Sequence, residues 1–456
     1  MKNAGKAYKI KEAKKNKKIN KLNKIKYVLF KSSLPVRLSV CVMGIGQLCY
    51  RQWVSGLLYL SAFTGMIIYL VTAGVRDILG FITLGTNEAD PWLGVAGDDS
   101  IIMMLRGLLA ILLIIGFIIL HMVNIRHVQN LEEMKRAKKP IPALKKRVGD
   151  ILDKKFYVVA LIAPVIGVLV FNVIPIIFMI LISFTNYGGD IVPPKLVDWI
   201  GFGNFVKIFS LSEIKNTFVK IFSWNVVWAV LSTLINYFGG LGLALLLNKK
   251  CVKGKTFWRM FPIIAYAVPG FITLLAFKFM FSYGGPVNYY ITGAGTNPIG
   301  FLDIDAGIYA KIIGLFVNAW ISIPTSMLLA TGILSNMNND LYEAAALDGA
   351  SRWKQFTKIT FPFVVFATTP VLITSFIGNF NNFGIFYFLR GGLYMDGYFL
   401  ASDTDLLINW LYNLSIDNNY YGIGAAVSLI IFIITSIFSL AVYINSSAYK
   451  KEDTYR

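Results

Sequence analysis

Polar side chains that could do chemistry are scarce inside the long apolar runs of this 456-residue chain, so a regular spacing among them carries weight. Ser375, Asn379 and Asn382 stand in SFIGNFNNFGIF (375–386) at i, i+4 and i+7. On a helix that spacing places all three on one face, near the middle of a membrane span. A carboxamide both donates and accepts hydrogen bonds, and a ligand rich in hydroxyls, such as a sugar, asks for both. Polar residues of this kind also glue one membrane helix to the next. Spacing alone leaves the two uses open.

Other chemistries fit the residues poorly. The apolar runs contain three charged residues, Arg106, Lys278 and Lys311, all near the outer ends, where a long side chain can snorkel to the interface. No Asp or Glu falls within a span as the runs are read, whereas ion-coupled carriers commonly keep a carboxylate there. Energy for any transport is therefore expected from elsewhere. A phosphate-binding loop is suggested by Gly254-Lys255-Thr256, but the glycine that motif needs five residues earlier is Lys249. With two histidines, His121 and His127, and no ligand spacing, neither a metal site nor a catalytic constellation is expected. Cys41, Cys49 and Cys251 form no disulfide framework or zinc pattern. The chain is not read as an enzyme, and no cofactor of its own is expected.

The elements that must position these residues are membrane helices. With 56% hydrophobic and 15% charged residues, the chain has repeated apolar runs of about 20 residues, the length that crosses a bilayer. It reads as an all-α polytopic membrane protein with about eight spans, near 53–75, 101–121, 156–184, 221–248, 261–282, 308–334, 362–389 and 422–446. Pro269 and Pro324 are expected to interrupt their spans, and Gly239, Gly240 and Gly242 to allow close helix approach. Ahead of the first span, LSVCVMGIGQLCYRQ (38–52) is short and broken by glycine, which predicts an interfacial or re-entrant lead-in. Four regions follow: a basic tail (1–37), an N-terminal membrane region (38–155), a six-span core (156–447) and a second tail (448–456).

The net charge of +20 does not imply nucleic acid, because its densest run, MKNAGKAYKIKEAKKNKKINKLNKIK, directly precedes the membrane region. It reads as a positive anchor at the lipid surface and lacks the features of a cleaved signal peptide. Lys and Arg also crowd the 122–155 and 249–260 loops, whereas the opposite side holds few: Arg76, Lys195, Lys207, Lys215, Lys220 and Arg390. The positive-inside rule then puts both termini in the cytoplasm.

One cytoplasmic loop is built unlike a linker. In DLYEAAALDGASRWKQFTKITFP, Asp340 can cap a helix with Glu343 three residues on, Gly349 can stop it, and Ser351 can cap a second helix ended by Pro362. Helices this short need an outside contact to persist. Glu343, Ala344, Ala345, Gly349, Ile359 and Pro362 resemble, in identity and spacing, the EAA loop of permease subunits of binding-protein-dependent ABC importers. YAVPGFITLLAFKFMF (266–281), VNAWISIP (317–324), SFIGNFNNFGIF and TDLLINWLY (404–412) resemble the MalF type, over about residues 155 to 450.

That resemblance implies a type I ABC importer permease core in a bacterial cell membrane. It implies a loop that docks on separate ATPase subunits, which bind the ATP and Mg²⁺, together with a second permease of the MalG type and an extracellular sugar-binding protein. The cargo implied is maltose or a longer malto-oligosaccharide, with Tyr266, Ser375, Asn379 and Asn382 lining its site. The chain departs from the family in three places. Gly378 stands where such permeases can have phenylalanine, Thr325 stands where they can have tyrosine, and the third-to-fourth span connection (about 185–220) has no room for a large external domain. Cyclodextrin or trehalose in the same machinery, and more distantly an ion-coupled carrier, are the alternative readings.

Overall fold

The computed structural model describes residues 32–89, 92, 94, 96–141, 149, 152–153, 156–249, 251–293 and 297–445. The basic run at 1–31, the basic residues Lys145, Lys146, Arg147, Lys154 and Lys155, and the tail at 448–456 lie outside the described residues. Among the described residues seven helices are long and apolar enough to cross a membrane, or eight if one bent pair is counted. The chain divides into two compact units.

The first unit comprises residues 1–179 and 191–198. Its lead-in is two short helices, α1 (Leu34–Cys41) and α2 (Ile45–Cys49), broken at Gly44, whose φ of +91° suits glycine. A Cβ there would lie 2.3 Å from the Gly56 carbonyl oxygen, so the break crosses α3 (Trp53–Thr83) almost in contact. Asn124 of α4 (Ser100–Arg136) holds this turn: its Oδ1 accepts from Gln47 Nε2 at 2.7 Å, and its Nδ2 donates to the Ser39 carbonyl at 3.2 Å. The spans run longer than the apolar pattern suggests. α3 continues past a π turn at Leu70–Gly74 to include Asp77, which accepts from Tyr69 Oη at 3.2 Å, so carboxylates do occur in the long helices, as also at Glu132 and Glu213. The 37 residues of α4 make about 55 Å, well beyond the hydrocarbon core of about 30 Å. Near its end Glu132 accepts from the Ser33 amide and pairs with Arg136. α5 (Phe156–Ile182) completes the spans that begin in this unit.

The second unit comprises residues 180–190 and 199–456. Short α6 (Gly203–Ser210) leads into α7 (Ser212–Asn248), which starts about nine residues before its apolar run. α8 (Lys255–Ala267) and α9 (Gly270–Met280) form the bent pair, turned by 89°. Val268 before Pro269 is extended, the state that a following proline favours. α10 (Pro286–Thr292) leads to α11 (Gly307–Ser335), which is unbroken at Pro324. That proline is buried in the packed face of α11, and its neighbours keep the helix regular where sequence predicts an interruption. The loop helices α12 (Asp340–Leu347) and α13 (Arg352–Gln355) follow, then a π turn (Phe356–Thr360) and α14 (Phe361–Phe380). The chain ends in α15 (Gly384–Arg390), α16 (Leu407–Tyr412) and α17 (Tyr421–Asn445).

The seam between α7 and α11 sets the unit's geometry. A Cβ on Gly240 would sit 2.3 Å from Ser326 Cβ and 2.7 Å from the Met327 amide nitrogen, and one on Gly239 would sit 2.6 Å from Ile323 Cδ1. Gly242 faces open space, so two of the three glycines, not all, serve the close approach. On the loop-proximal side of this seam Leu241, Ala244 and Leu247 pack with Met327, Ala330 and Val364. Toward the other end Trp228 meets Phe386 edge-on with ring centres 4.9 Å apart, among Val317, Leu389 and Leu406.

Arg390 is buried, although sequence counts it simply as an outside charge. Its Nε donates to the Leu302 carbonyl, its Nη1 to Asp403 and Thr404, and its Nη2 to the carbonyls of Asp303 and Ile304. All five guanidinium donors are thereby used, and the 302–304 and 403–404 segments are clamped to the end of α15. Lys311 does not snorkel. Its Nζ lies 3.5 Å from Asp403 Oδ2 and 4.8 Å above the Trp224 ring. Nearby Asp405 is buried, and that burial pushes its carboxyl up from 3.8 to about 6, against the opposing pull of Ser402 hydrogen bonds and the Arg390 charge.

Two outcomes follow. Gly240→Ala prevents α7 and α11 from meeting and strongly reduces assembled protein in detergent, whereas Gly242→Ala is tolerated; equal yields of the two contradict the seam. The raised carboxyl of Asp405 contributes stability that is fully present below its unfolded value of 3.8 and is lost as pH rises through about 6. Melting of the purified protein therefore falls between about pH 4 and 7 by up to about 3 kcal/mol from this group, and Asp405→Asn flattens that slope and melts higher at pH 8. A variant with an unchanged slope contradicts it.

Candidate functional site

Sequence places Ser375, Asn379 and Asn382 on one face of a single helix. α14 ends at Phe380, so Asn382 lies just past it, in the break before α15. The three still converge, because the break is short. Together with Tyr266, from the last turn of α8, they line one cavity of about 330 Å³. That volume is within the usual range of small-molecule sites. Gly378 and Thr325 also line it, and a Cβ at Gly378 would meet nothing within 4 Å.

The opposing walls come from α7 and α11. Thr233, Asn236 and Tyr237 line the cavity from the first; Asn318, Ser322 and Thr325 do so from the second. The latter trio repeats i, i+4, i+7, the spacing that singles out Ser375, Asn379 and Asn382, so the same pattern could have found Asn318 and Ser322. On α7 the i, i+3, i+4 run was hidden among the many polar residues of that helix.

The amides serve as glue and as lining at once. Asn379 is buried; its Nδ2 donates to Thr233 Oγ1 at 3.0 Å, and its carbonyl accepts from Trp228 Nε1 at 3.1 Å. Asn382 Nδ2 donates to Asn318 Oδ1 at 3.4 Å, and its own Oδ1 accepts from the Ile385 amide at 3.3 Å. Among the described residues two buried lining groups have no hydrogen-bond partner: Asn318 Nδ2, a donor, and Asn236 Oδ1, an acceptor. A donor and an acceptor left unpaired in a dry setting are costly unless a ligand engages them. None of the lining residues is acidic or basic, so the chamber suits a neutral, hydroxylated molecule.

The second site is the loop. Asp340 does not cap α12. The helix already includes it, its N-cap is Asn339, which makes no side-chain cap, and just ahead Asn338 Oδ1 accepts from the Asp340 amide at 3.0 Å. The start shifts because Asn338 forms a local turn that satisfies this amide one residue early. Gly349 has φ +76°, and the Ala350 and Gly349 amides donate to the carbonyls of Ala345 and Ala346 at 2.9 and 3.0 Å. This is a Schellman stop. Ser351 Oγ accepts from the Lys354 amide at 3.3 Å and starts α13. Pro362 does not end the second helix. The chain widens into the π turn ahead of the proline, which lacks an amide to donate, and continues into α14. Tyr342 Oη lies 2.8 Å from Thr360 Oγ1, and this bond holds α12 against the π turn. Glu343 and Ala344 are exposed, Ala345 and Ile359 half-buried. Leu341, Leu347 and Trp353 are 51%, 90% and 72% exposed among the described residues.

A family model described as binding-protein-dependent transport system inner membrane component matches residues 236–451. The galactooligosaccharide transport permease GanP of Bacillus subtilis is 31% identical over 418 residues, covering 90% of this chain and 97% of that protein. The maltodextrin transport permease MdxF of the same organism is 32% identical over 439 residues, 94% and 99% of the two chains. The chain belongs to the MalF-type permease subunits of binding-protein-dependent ABC importers. A solved bacterial ABC transporter that imports the acidic polysaccharide alginate shares the fold, with a TM-score of 0.54 and 21% identity, over 65% of this chain and 97% of that one. This MalF-type chain is thus a multi-pass membrane subunit of an ATP-driven sugar importer, not itself an enzyme.

The stop at Gly349 gives a test independent of cargo. A Cβ there meets open space, so the cost of Gly349→Val is backbone strain, about 1–2 kcal/mol. Hydrogen exchange across 344–351 of the permease should speed up about tenfold in Gly349→Val and less in Gly349→Asn; unchanged exchange contradicts the motif.

Proposed function

We propose that this permease translocates maltose and longer malto-oligosaccharides, which an extracellular binding protein delivers, through the cavity between α7, α11 and α14. The observation that carries the reading is a chamber lined by amides and hydroxyls with no charged side chain. It disfavours an acidic oligosaccharide of the alginate kind, which would bring carboxylates into a wall with no cation. Tyr266 offers its ring to a glucosyl unit, while Ser375, Asn379 and Asn382 fix the sugar's orientation by hydrogen bonds. Galactooligosaccharides are the second reading, favoured by the likeness to GanP; cyclodextrin and trehalose share the same chemistry.

The remaining partners follow from the loop and the charge pattern. A second permease of the MalG type completes the path. Two ATPase subunits, which hold the ATP and Mg²⁺, receive α12 with Glu343, Ala344 and Ala345, and Leu341, Leu347 and Trp353 supply apolar contact. Gly349 shapes the docked end, while Ile359 and Pro362 join the loop to α14, so closure of the ATPases is passed to the helix that carries Ser375. Both termini lie in the cytoplasm, on the side of this loop.

In membrane vesicles holding this chain with its partner subunits, ATP-dependent uptake of labelled maltotriose should fall at least tenfold in Asn379→Ala, with the assembled complex at parental level. Uptake at the parental rate contradicts the site, and ATPase activity that responds to galactooligosaccharide but not maltotriose moves the cargo to the second reading.

A further inference from the structure

Asn236, Tyr237 and Thr368 stand apart from the residues that the family motif supplies, yet they line the same cavity. Thr368 precedes Ser375 on α14 by two helical turns, about 10 Å. One hexose ring held at Ser375, Asn379 and Asn382 does not cover that distance. Thr368 and Tyr237 define this far end directly, since Tyr237 Oη and Thr368 Oγ1 lie 2.9 Å apart.

Proton counting fixes what this end offers. Thr368 Oγ1 donates to the Val364 carbonyl at 2.7 Å, so its hydroxyl proton is used. Tyr237 must then donate to Thr368, which leaves the lone pairs of the phenol oxygen free. One residue away on α7, the buried Asn236 Oδ1 has no partner. These acceptors belong to residues that line the cavity with no charged side chain among them, which suits a neutral ligand that donates hydroxyl protons. The Tyr237 ring beside them supplies a face on which a sugar ring can rest.

We infer that Asn236, Tyr237 and Thr368 form a second sugar subsite, at the end of the cavity nearer the Glu343 loop, which takes the further hexose units of a neutral oligosaccharide. This rests on the sugar-path reading above and adds chain length to it. The near subsite sets which sugar enters, and the far one sets how strongly a longer chain is preferred over a shorter one. The hydroxyl of Tyr237 and the amide of Asn236 are thus specificity-determining groups. They act on the ratio between substrates more than on transport of any single one.

The test compares maltotetraose with maltose in proteoliposomes holding the complete importer, with kcat and KM measured for each sugar. Tyr237→Phe keeps the ring and removes the hydroxyl; Asn236→Ala removes the unpaired acceptor. In each, the maltotetraose-to-maltose ratio of kcat/KM should fall at least fivefold, mainly through KM for the longer sugar, while Ser375→Ala lowers both sugars in parallel. A ratio unchanged in both variants, whether uptake of the two sugars falls together or not at all, overturns the subsite and leaves the path reading standing. A parental complex that takes up neither sugar overturns the malto-oligosaccharide reading, and the subsite as stated falls with it.

Discussion

Within hydrocarbon there is no water to satisfy a polar group, so each amide, hydroxyl and charge in a spanning helix must find its partner inside the protein. This constraint organises the second unit. Asn379 finds Thr233 and Tyr237 finds Thr368, each pairing joining two helices, and Asn382, in the break after α14, finds Asn318 of α11. Outside the spans the same rule appears in Arg390, whose five donors all end on backbone or side-chain oxygens of two neighbouring segments. Among the described residues seven buried side-chain atoms have no hydrogen-bond partner, and two of them, Asn236 Oδ1 and Asn318 Nδ2, belong to residues that line the chamber.

The architecture joins that chamber to the loop by a short mechanical route. Gly240 lets α7 and α11 touch, which fixes two walls. The third wall, α14, is the same helix that grows out of the π turn beside the loop, and Tyr342 ties α12 to that turn. One continuous run of helix from the π turn through α14 thus carries Thr368 and Ser375. The apolar side chains left uncovered at Leu341, Leu347 and Trp353 give an outside partner something to grip. The π turn is the soft point of this route, since a wider turn next to a proline bends more easily than regular helix.

Much of this is legible from residue pattern. Apolar runs long enough to cross a bilayer mark the spans, Pro269 marks the sharp bend, and Gly349 with Ser351 marks the helix stop and start. The pattern underestimates helix ends, as at Ser212 and Arg136, because polar residues continue a helix once it leaves the lipid. It also misplaces a helix start when a local turn comes first, as with Asn338 and Asp340. Long-range partners are the hardest to read. Arg390 looks like one more outside charge until residues 302–304 and 403–404 fold around it, and Lys311 looks free until Asp403 arrives from 92 positions away. In the chamber, Asn318 and Ser322 carry the same spacing as Ser375, Asn379 and Asn382. They become informative once α11 and α14 are seen to face one another.

The central claim, that the uncharged chamber between α7, α11 and α14 is the path of the sugar, is tested most directly by protection. Cys41, Cys49 and Cys251 are exposed and would be replaced by serine, and Ser322, on the α11 wall, by cysteine. A small thiol reagent should label this cysteine in membranes holding the full importer, and saturating maltotriose with binding protein and ATP should slow that labelling at least fivefold. Labelling that sugar leaves unchanged during active uptake would contradict the claim, because the cargo would then be crossing by another route.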